Sequence, residues 1–487
     1  MSRVRRQIPM WAKTGHAKPV TRRDFLAAGI IPFSAWVVGP SLATLLNPLR
    51  AEAADLCASG SSQTFIPFIT LNLAGGAGLA GQIVAKTVDG ANLRSYTKLG
   101  QGNGPGLSFT PTQEFGAVDF AGAAIGGNTQ GLVSKFLQGV RDPRAANMRS
   151  AALDNAAFVW QAVASGDDSA MNPADITGLV LKMGLSGSKL PNLGRSDTST
   201  GIGQKPTVVP PPAPFVVGKV DDLVNALGYA AALKDLKLSQ KSALARVIAS
   251  LSGSQLKRIG ETDGATAVTQ LVDCAGIKNV DLISQGGGDV NPYSVNGVGA
   301  EIARIWGVQA NDRTSQNATF GAMVYNGISG NASTVNLNLG GYDYHDNSRT
   351  TGDTRDLAAG QIVGKIIETA AYLKKPVFIF ICSDGATASA DSATADSAWV
   401  SDRGIAGVQY MIAYDPAKRP ETSGSHIGGF NEGQAADGKF PTASNVELAS
   451  QAVFANYAAM NGQMAFLEQN RILDSSLRGQ VIKFQKG

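Results

Sequence analysis

The amino-acid sequence predicts an α/β fold with a mostly parallel central sheet flanked by helices. Val335, Leu337 and Leu339 alternate with polar residues, which is the period of a strand. Apolar residues then recur at three-to-four spacing through residues 354–374, as in an amphipathic helix. Residues 377–382 form a continuous apolar run, which is typical of a strand buried on both faces. A strand–helix–strand unit implies parallel strands joined by a right-handed crossover.

Two acids and one histidine follow the two strands of this unit. Asp343 and His345 come just after the paired glycines Gly340 and Gly341, and Asp384 comes just after the second strand. The carboxyl ends of parallel strands meet at one edge of the sheet, where open α/β sheets bind ligands. We therefore expect Asp343, His345 and Asp384 to leave the same edge.

The other elements are predicted from apolar runs and turn residues. Strands are expected at residues 64–73 and 118–125, and helices from 132, from 148 toward 163, and over 220–259, 300–306, 322–328 and 445–466. Residues 186–203 are predicted to be loop, and the proline-rich residues 206–214 are predicted to be extended. The glycine-rich residues 74–81 have neither the GxGxxG spacing of a dinucleotide site nor the lysine of a P-loop, so they predict a tight turn.

Residues 1–53 are predicted to be an export signal. TRRDFL at 21–26 follows a basic stretch and leads into a weakly apolar segment, and AEA at 51–53 offers small residues for cleavage. The pattern resembles a twin-arginine signal and implies a periplasmic or extracellular location. An uncut segment of this length could span a bilayer, but its glycines and prolines favour cleavage and no permanent membrane span.

The remaining chain, residues 54–487, is expected to form a single domain with a mainly helical insertion at about 205–300. The leader holds eight of the 42 Lys and Arg residues and two of the 38 Asp and Glu residues, so its removal changes the formal charge from +4 to −2. The basic character belongs to the leader, and we expect no nucleic-acid partner.

Three cysteines allow at most one internal disulfide. Cys382 lies in a predicted buried strand and is expected to be inert, which leaves Cys57–Cys274 as the pairing to test.

Several short motifs resemble those of a known family. They are GGAG at 75–78, RSA at 149–151, GYDYH at 341–345, DG at 384–385, SDRG at 401–404 and PT at 441–442. In this order they resemble a family of twin-arginine-exported bacterial proteins of uncharacterised function within the alkaline phosphatase and sulfatase superfamily. The resemblance covers most of the chain after the leader, and it implies an alkaline-phosphatase-like scaffold.

The chain departs from that family at metal-ligating positions. Gly78 stands where the family has Asp, and Ala151 and Arg403 stand where it has His. Superfamily enzymes use two divalent metals, held by Asp and His, to activate a Ser or Thr nucleophile on a phosphoryl or sulfuryl group. After the leader the chain keeps two histidines, His345 and His426, which are too few for a two-metal, histidine-rich site.

A reduced site for one divalent metal is one interpretation of the residues that remain. Asp343, His345, Asp384 and Asp402 would form an oxygen-rich set suited to Mg²⁺, Ca²⁺ or Mn²⁺, with Zn²⁺ the weaker candidate. In the alternative, Asp343 and His345 are a hydrogen-bonded pair that fixes the loop, and Asp402 and Arg403 make local ion pairs. Arg403 is a candidate to bind an anion in place of a metal, or an ordinary solvated side chain.

The nucleophile is left open by the sequence. Ser150 and Ser383 are candidates. His426, in a Gly/Ser-rich segment, is a candidate acid or base, although an exposed loop histidine is the simpler expectation.

Two functions follow. One is an exported cell-envelope protein on an alkaline-phosphatase-like scaffold, non-catalytic, that binds an envelope partner or a small anionic ligand. The other is a metal-dependent hydrolase of phosphate or sulfate esters with a one-metal site. The fold alone does not decide between them.

Overall fold

The computed structural model describes most of the chain after the leader. The described residues are 65–94, 98–99, 109–124, 134–141, 152–165, 173–195, 205–206, 209–211, 214–226, 290–343, 349–389, 399–400 and 405–485, with a few positions between 239 and 250. Nearly all belong to the larger of two compact units, Gln63–Leu223 with Gly288–Gly487. The predicted export signal, both Cys57 and Cys274, and most of the predicted helical insertion lie outside the described residues.

The described strands, in chain order, are β1 (Phe68–Leu73), β2 (Phe109–Phe115), β3 (Val118–Ala124), β4 (Ala156–Val163), β5 (Ala174–Asp175), β6 (Leu193–Gly194), β7 (Lys205–Pro206), β8 (Phe215–Val216), β9 (Thr334–Leu339), β10 (Val377–Ser383), β11 (Ala388–Ser389), β12 (Trp399–Val400), β13 (Gly407–Tyr414), β14 (Glu421–Thr422), β15 (His426–Ile427) and β16 (Phe484–Gln485). The described α-helices are α1 (Lys135–Val140), α2 (Thr177–Met183), α3 (Val220–Asn225), α4 (Val298–Trp306), α5 (Gln316–Ile328), α6 (Arg349–Leu373), α7 (Val446–Met460), α8 (Met464–Gln469) and α9 (Ser475–Val481).

An eight-stranded, mixed but mostly parallel sheet organises the fold, which confirms the α/β class. Its strand order is β15-β4-β13-β10-β1-β9-β6-β8. The strand–helix–strand unit β9–α6–β10 is present as predicted, and β1 lies between its two strands and runs parallel to both. Leu73 pairs with Leu339 on one side and with Ser383 on the other, so three carboxyl ends meet at one edge.

The antiparallel part of the sheet was not predicted. β13 runs antiparallel to both β10 and β4, and the expected helix from 148 toward 163 is wrong because Ala156–Val163 is β4. Every residue of β4 and of β13 is buried, so neither segment shows the alternation that identifies a half-exposed strand. The expected helix at 445–466 is divided into α7 and α8 around Gly462, whose φ is +68°.

Helices cover both faces of the sheet. Val159 of β4 packs with residues of α2, α7 and α9 in one large core. Its neighbour Phe158 points to the opposite face, where its ring lies 4.8 Å from Tyr410 and 5.2 Å from Phe120. Cys382 is buried, as expected, and forms no disulfide within the described part of the chain. No helix in the described part of the chain is both long enough and apolar enough to cross a bilayer.

Candidate site at the carboxyl edge of the parallel strands

The glycine-rich turn after β1 lies between the ends of β9 and β10. The Ala74 amide donates to the Leu339 carbonyl at 2.9 Å, and the Tyr342 amide donates to the Ala74 carbonyl at 3.0 Å. Gly75 and Gly76 have φ of +115° and +101°, which glycine adopts at little cost. The turn is therefore tight, as predicted, and is tied to the segment that carries Asp343.

Gly75 packs directly against Asp343. A Cβ added to Gly75 would overlap the Asp343 amide nitrogen and would lie 2.7 Å from the Asp343 Cβ. A side chain at position 75 would push the Asp343 segment away from the sheet edge. Asp343 itself is exposed.

Asp384 is buried, with 3% of its surface exposed, and it holds the same turn. Its Oδ1 accepts a hydrogen bond of 2.6 Å from the Gly75 amide. Thr387 adds a bond from its hydroxyl to the Gly76 carbonyl at 2.7 Å. A hydrogen bond to a carboxylate is among the stronger kinds, so Asp384 fixes the conformation of the turn.

The Ser383 hydroxyl also forms hydrogen bonds with the turn and with the end of β1. Its hydroxyl donates to the Leu73 carbonyl at 2.7 Å and accepts from the Ala77 amide at 2.8 Å. A serine nucleophile needs a neighbouring base to take its proton. In this geometry the proton of Ser383 is held by a backbone carbonyl, which cannot act as that base.

The structure thus brings Asp343 and Asp384 to one turn, at the predicted edge. His345, Asp402, Arg403 and Ser150 lie outside the described residues. Among the described residues, no group of three His, Cys, Asp or Glu side chains is arranged to hold a metal ion. Two carboxylates, one of which already accepts a hydrogen bond from the Gly75 amide, do not make such a site by themselves.

Arg355 is a residue at this edge that the sequence reasoning missed. It is exposed on α6, and a Cβ added to Gly341 would lie 2.8 Å from its guanidinium carbon. The Tyr342 hydroxyl donates to the Arg355 carbonyl at 2.8 Å, which ties the helix to the loop. The paired glycines at 340–341 indicate that another group packs closely against the backbone there. The fold shows that this group is the side chain of Arg355.

A buried polar chain lies beneath this edge. The carboxylate of Asp356, which is fully buried, accepts from the Gln82 side chain at 2.8 Å, and Gln82 in turn accepts from the Ser134 hydroxyl at 3.0 Å. Burial, and next the negative charge of Asp356, raises the pKa of Tyr342 and of Tyr410 well above the usual range. Both phenols therefore stay neutral and act as hydrogen-bond donors.

His426 does not join the acids, and the expectation of an exposed loop histidine is wrong. It lies in β15, is partly buried, and stacks on Trp160 with ring centroids 5.2 Å apart. Three strand spacings separate β15 from β10, which is roughly 14 Å. Burial, and then the positive charges of Lys86 and Lys483, lower the pKa of His426 to about 4, so its imidazole is neutral at pH 7.

The fold and the edge geometry define an α/β protein with two strand-end acids and a tightly bonded glycine turn. No model of a known protein family matches the chain, and the search of curated proteins gave no match either. The resemblance to the alkaline phosphatase superfamily therefore remains a prediction from the motifs.

Proposed function

We propose that this chain is an exported cell-envelope protein on an alkaline-phosphatase-like scaffold, with a binding or structural role. The observation that supports this most is the use of Ser383 and Asp384 as hydrogen-bonding partners of the turn after β1. In a hydrolase, side chains at this position would face the substrate or a metal. Here the Ser383 hydroxyl and the Oδ1 of Asp384 bond to the backbone of the chain itself.

The edge still has features suited to a small anionic ligand or to an envelope partner. Arg355 places a positive charge against Gly341, two residues before Asp343, and within the described chain its guanidinium makes no ion pair. Arginine binds carboxylate and phosphate groups in a fixed two-point geometry. Arg403, proposed from its motif position, would add to this charge.

A one-metal hydrolase of phosphate or sulfate esters is the alternative. It is favoured by the meeting of Asp343 and Asp384 at one turn, since both contact Gly75. His345 and Asp402 would have to complete the ligand set. The metal would supply positive charge for the ester oxygen, and the chain would supply the carboxylates that hold it.

Measuring the metal content and the ester-hydrolysing activity of the purified protein distinguishes the two functions. The variants are Asp343→Asn and, as a matched control, Glu432→Gln, which alters an exposed acid with no described partner. We expect less than stoichiometric metal, and hydrolysis of p-nitrophenyl phosphate and sulfate at the background rate in all three proteins.

Stoichiometric metal together with hydrolysis above background would contradict the proposal, provided that Asp343→Asn loses both and Glu432→Gln keeps both. A urea unfolding curve for each variant shows that the loss does not come from unfolding.

A further inference from the structure

Three rings stack beside the β15 edge of the sheet. Trp160 and His426 are opposite each other in the pairing of β4 with β15, with an angle of 22° between their rings. Phe430 stacks on Trp160 as well, at 6.0 Å and 28°. The three rings form an aromatic wall at the end of the sheet.

Two polar atoms in this wall have no hydrogen bond. The Nε1 of Trp160 and the Nδ1 of His426 are buried, and neither has a partner anywhere in the described part of the chain. Trp160 is fully buried. An unmet buried donor is costly in a folded protein, and a water, an ion or a ligand commonly supplies the bond that the chain does not.

Two lysines lie on chain segments next to the wall. The Lys86 carbonyl accepts from the Phe430 amide at 2.8 Å, and the Lys483 carbonyl accepts from the Ser423 amide at 2.8 Å. The Lys483 side chain lies close to Gly424, since a Cβ there would be 3.8 Å from its Cδ. Both lysines are partly buried, and neither ammonium group bonds to another described residue.

The acids on neighbouring elements do not compensate these charges. Asp89 is exposed on the turn before Gly90, and a Cβ on Gly90 would lie 3.7 Å from the His426 Cε1. Asp437, whose amide donates to the Gly429 carbonyl, uses its carboxylate to accept from the Lys439 amide. Within the described chain, neither acid bonds to a lysine of this cluster.

We propose that Lys86, Lys483, His426 and the Trp160 indole form a binding site for an oxyanion, such as the phosphate, sulfate or carboxylate group of a small ligand. The two ammonium groups supply the charge, and the indole N–H supplies a directed hydrogen bond. A bound anion favours protonation of His426, which then also donates. The site lies three strands across the sheet from β10, which is roughly 14 Å, and it does not depend on the function proposed for the edge that carries Asp384.

The test is a titration of the protein with sodium phosphate, and separately with sodium sulfate, at constant ionic strength and pH 6.5. Nuclear magnetic resonance follows the His426 ring and the Trp160 indole proton, which are assigned with His426→Gln and Trp160→Phe. We expect saturable shifts of both signals, with a dissociation constant on the order of 1 mM. Lys86→Gln and Lys483→Gln should each weaken binding about tenfold.

Lys439→Gln is the matched control, because Lys439 is exposed and its described bond uses only the backbone amide. It should bind phosphate like the parent. The proposal is overturned if wild type shows no saturable shift below about 50 mM phosphate, or if Lys439→Gln weakens binding as much as the two lysine variants. Unchanged spectra of the variants without phosphate establish that they are folded.

Discussion

At the scale of single residues, Gly75 is the position at the sheet edge where a residue without a side chain is most needed. Its φ of +115° is unfavourable for any residue with a side chain, and a Cβ would lie 2.7 Å from that of Asp343. We expect Gly75→Ala to lower the free energy of unfolding by roughly 2 kcal/mol or more. The midpoint of urea unfolding measures this.

Gly438→Ala is the control for that substitution. Gly438 has no atom within 4 Å of an added Cβ and no positive φ. It should change the free energy of unfolding by less than about 0.5 kcal/mol. If the two substitutions changed the free energy of unfolding equally, neither the backbone conformation of Gly75 nor its packing on Asp343 would exclude a side chain at position 75.

The depressed pKa of His426 makes stability depend on pH. The folded value of about 4 lies below the ordinary value of 6.5, so between these values the unfolded chain binds more protons. Stability from this group is complete above pH 6.5 and is lost as the pH falls toward 4, by on the order of 3 kcal/mol at most. The measurement is the urea midpoint at pH 7 and pH 5 in chloride buffer, for wild type and His426→Gln.

Carboxylates also titrate in this pH range. The contribution of His426 is therefore the difference between wild type and His426→Gln in the stability lost from pH 7 to pH 5. We expect the wild type to lose more stability than His426→Gln between pH 7 and 5. The reverse order would mean that His426 is protonated in the folded protein. Adding phosphate to wild type should reduce the loss, because a bound anion raises the pKa of the imidazole.

The sequence predicts the placement of Asp343 and Asp384 but not what they touch. Strand ends follow from local apolar patterns, and parallel strands bring their ends together. The bond from Gly75 to Asp384 joins residues 309 positions apart in the chain, and local patterns carry no information about it. The same is true of Trp160 and His426, which meet only because β15 pairs with β4.

At the scale of elements, α1 and α6 cross at two glycines. A Cβ on Gly139 would lie 3.0 Å from the Gly360 carbonyl carbon, and a Cβ on Gly360 would overlap the Phe136 carbonyl oxygen. Gly360→Ala should therefore separate the helices and lower the free energy of unfolding by roughly 1–3 kcal/mol. Thermal unfolding of the variant measures this.

Gly479→Ala should have the opposite effect. Gly479 lies inside α9, and nothing is within 4 Å of its added Cβ. Alanine there should raise the free energy of unfolding by about 0.5–1 kcal/mol. If both alanine substitutions stabilise the protein, the crossing of α1 and α6 is looser than the structure indicates.

Some elements are predictable from local pattern and others are not. β10 was recognised because its apolar run is bounded by Pro376 and Gly385, whereas β4 follows an alanine-rich stretch that is equally typical of a helix. Apolar runs of this length do not distinguish a buried strand from a buried helix. Pairing with β13 along all eight residues of β4 decides the outcome, and that pairing is long-range.

At the scale of the whole molecule, the proposal that the protein is exported can be tested independently of its structure. Replacing Arg22 and Arg23 by lysine should abolish transport through the twin-arginine pathway, which reads the pair itself and not only its charge. We expect wild type in the periplasmic or extracellular fraction and the double variant in the cytoplasm, as seen by immunoblot of cell fractions. Substituting Arg5 and Arg6 by lysine is the control and should leave export unchanged.

The outer strands of the sheet, β15 and β8, are each two residues long. Within the described chain, each outer strand thus offers a short row of backbone donors and acceptors, and six other strands lie between the two. A long unpaired border invites a second polypeptide to add its own strand and begin fibrous assembly. Because its edge strands are this short, the sheet limits such self-association at high local concentration.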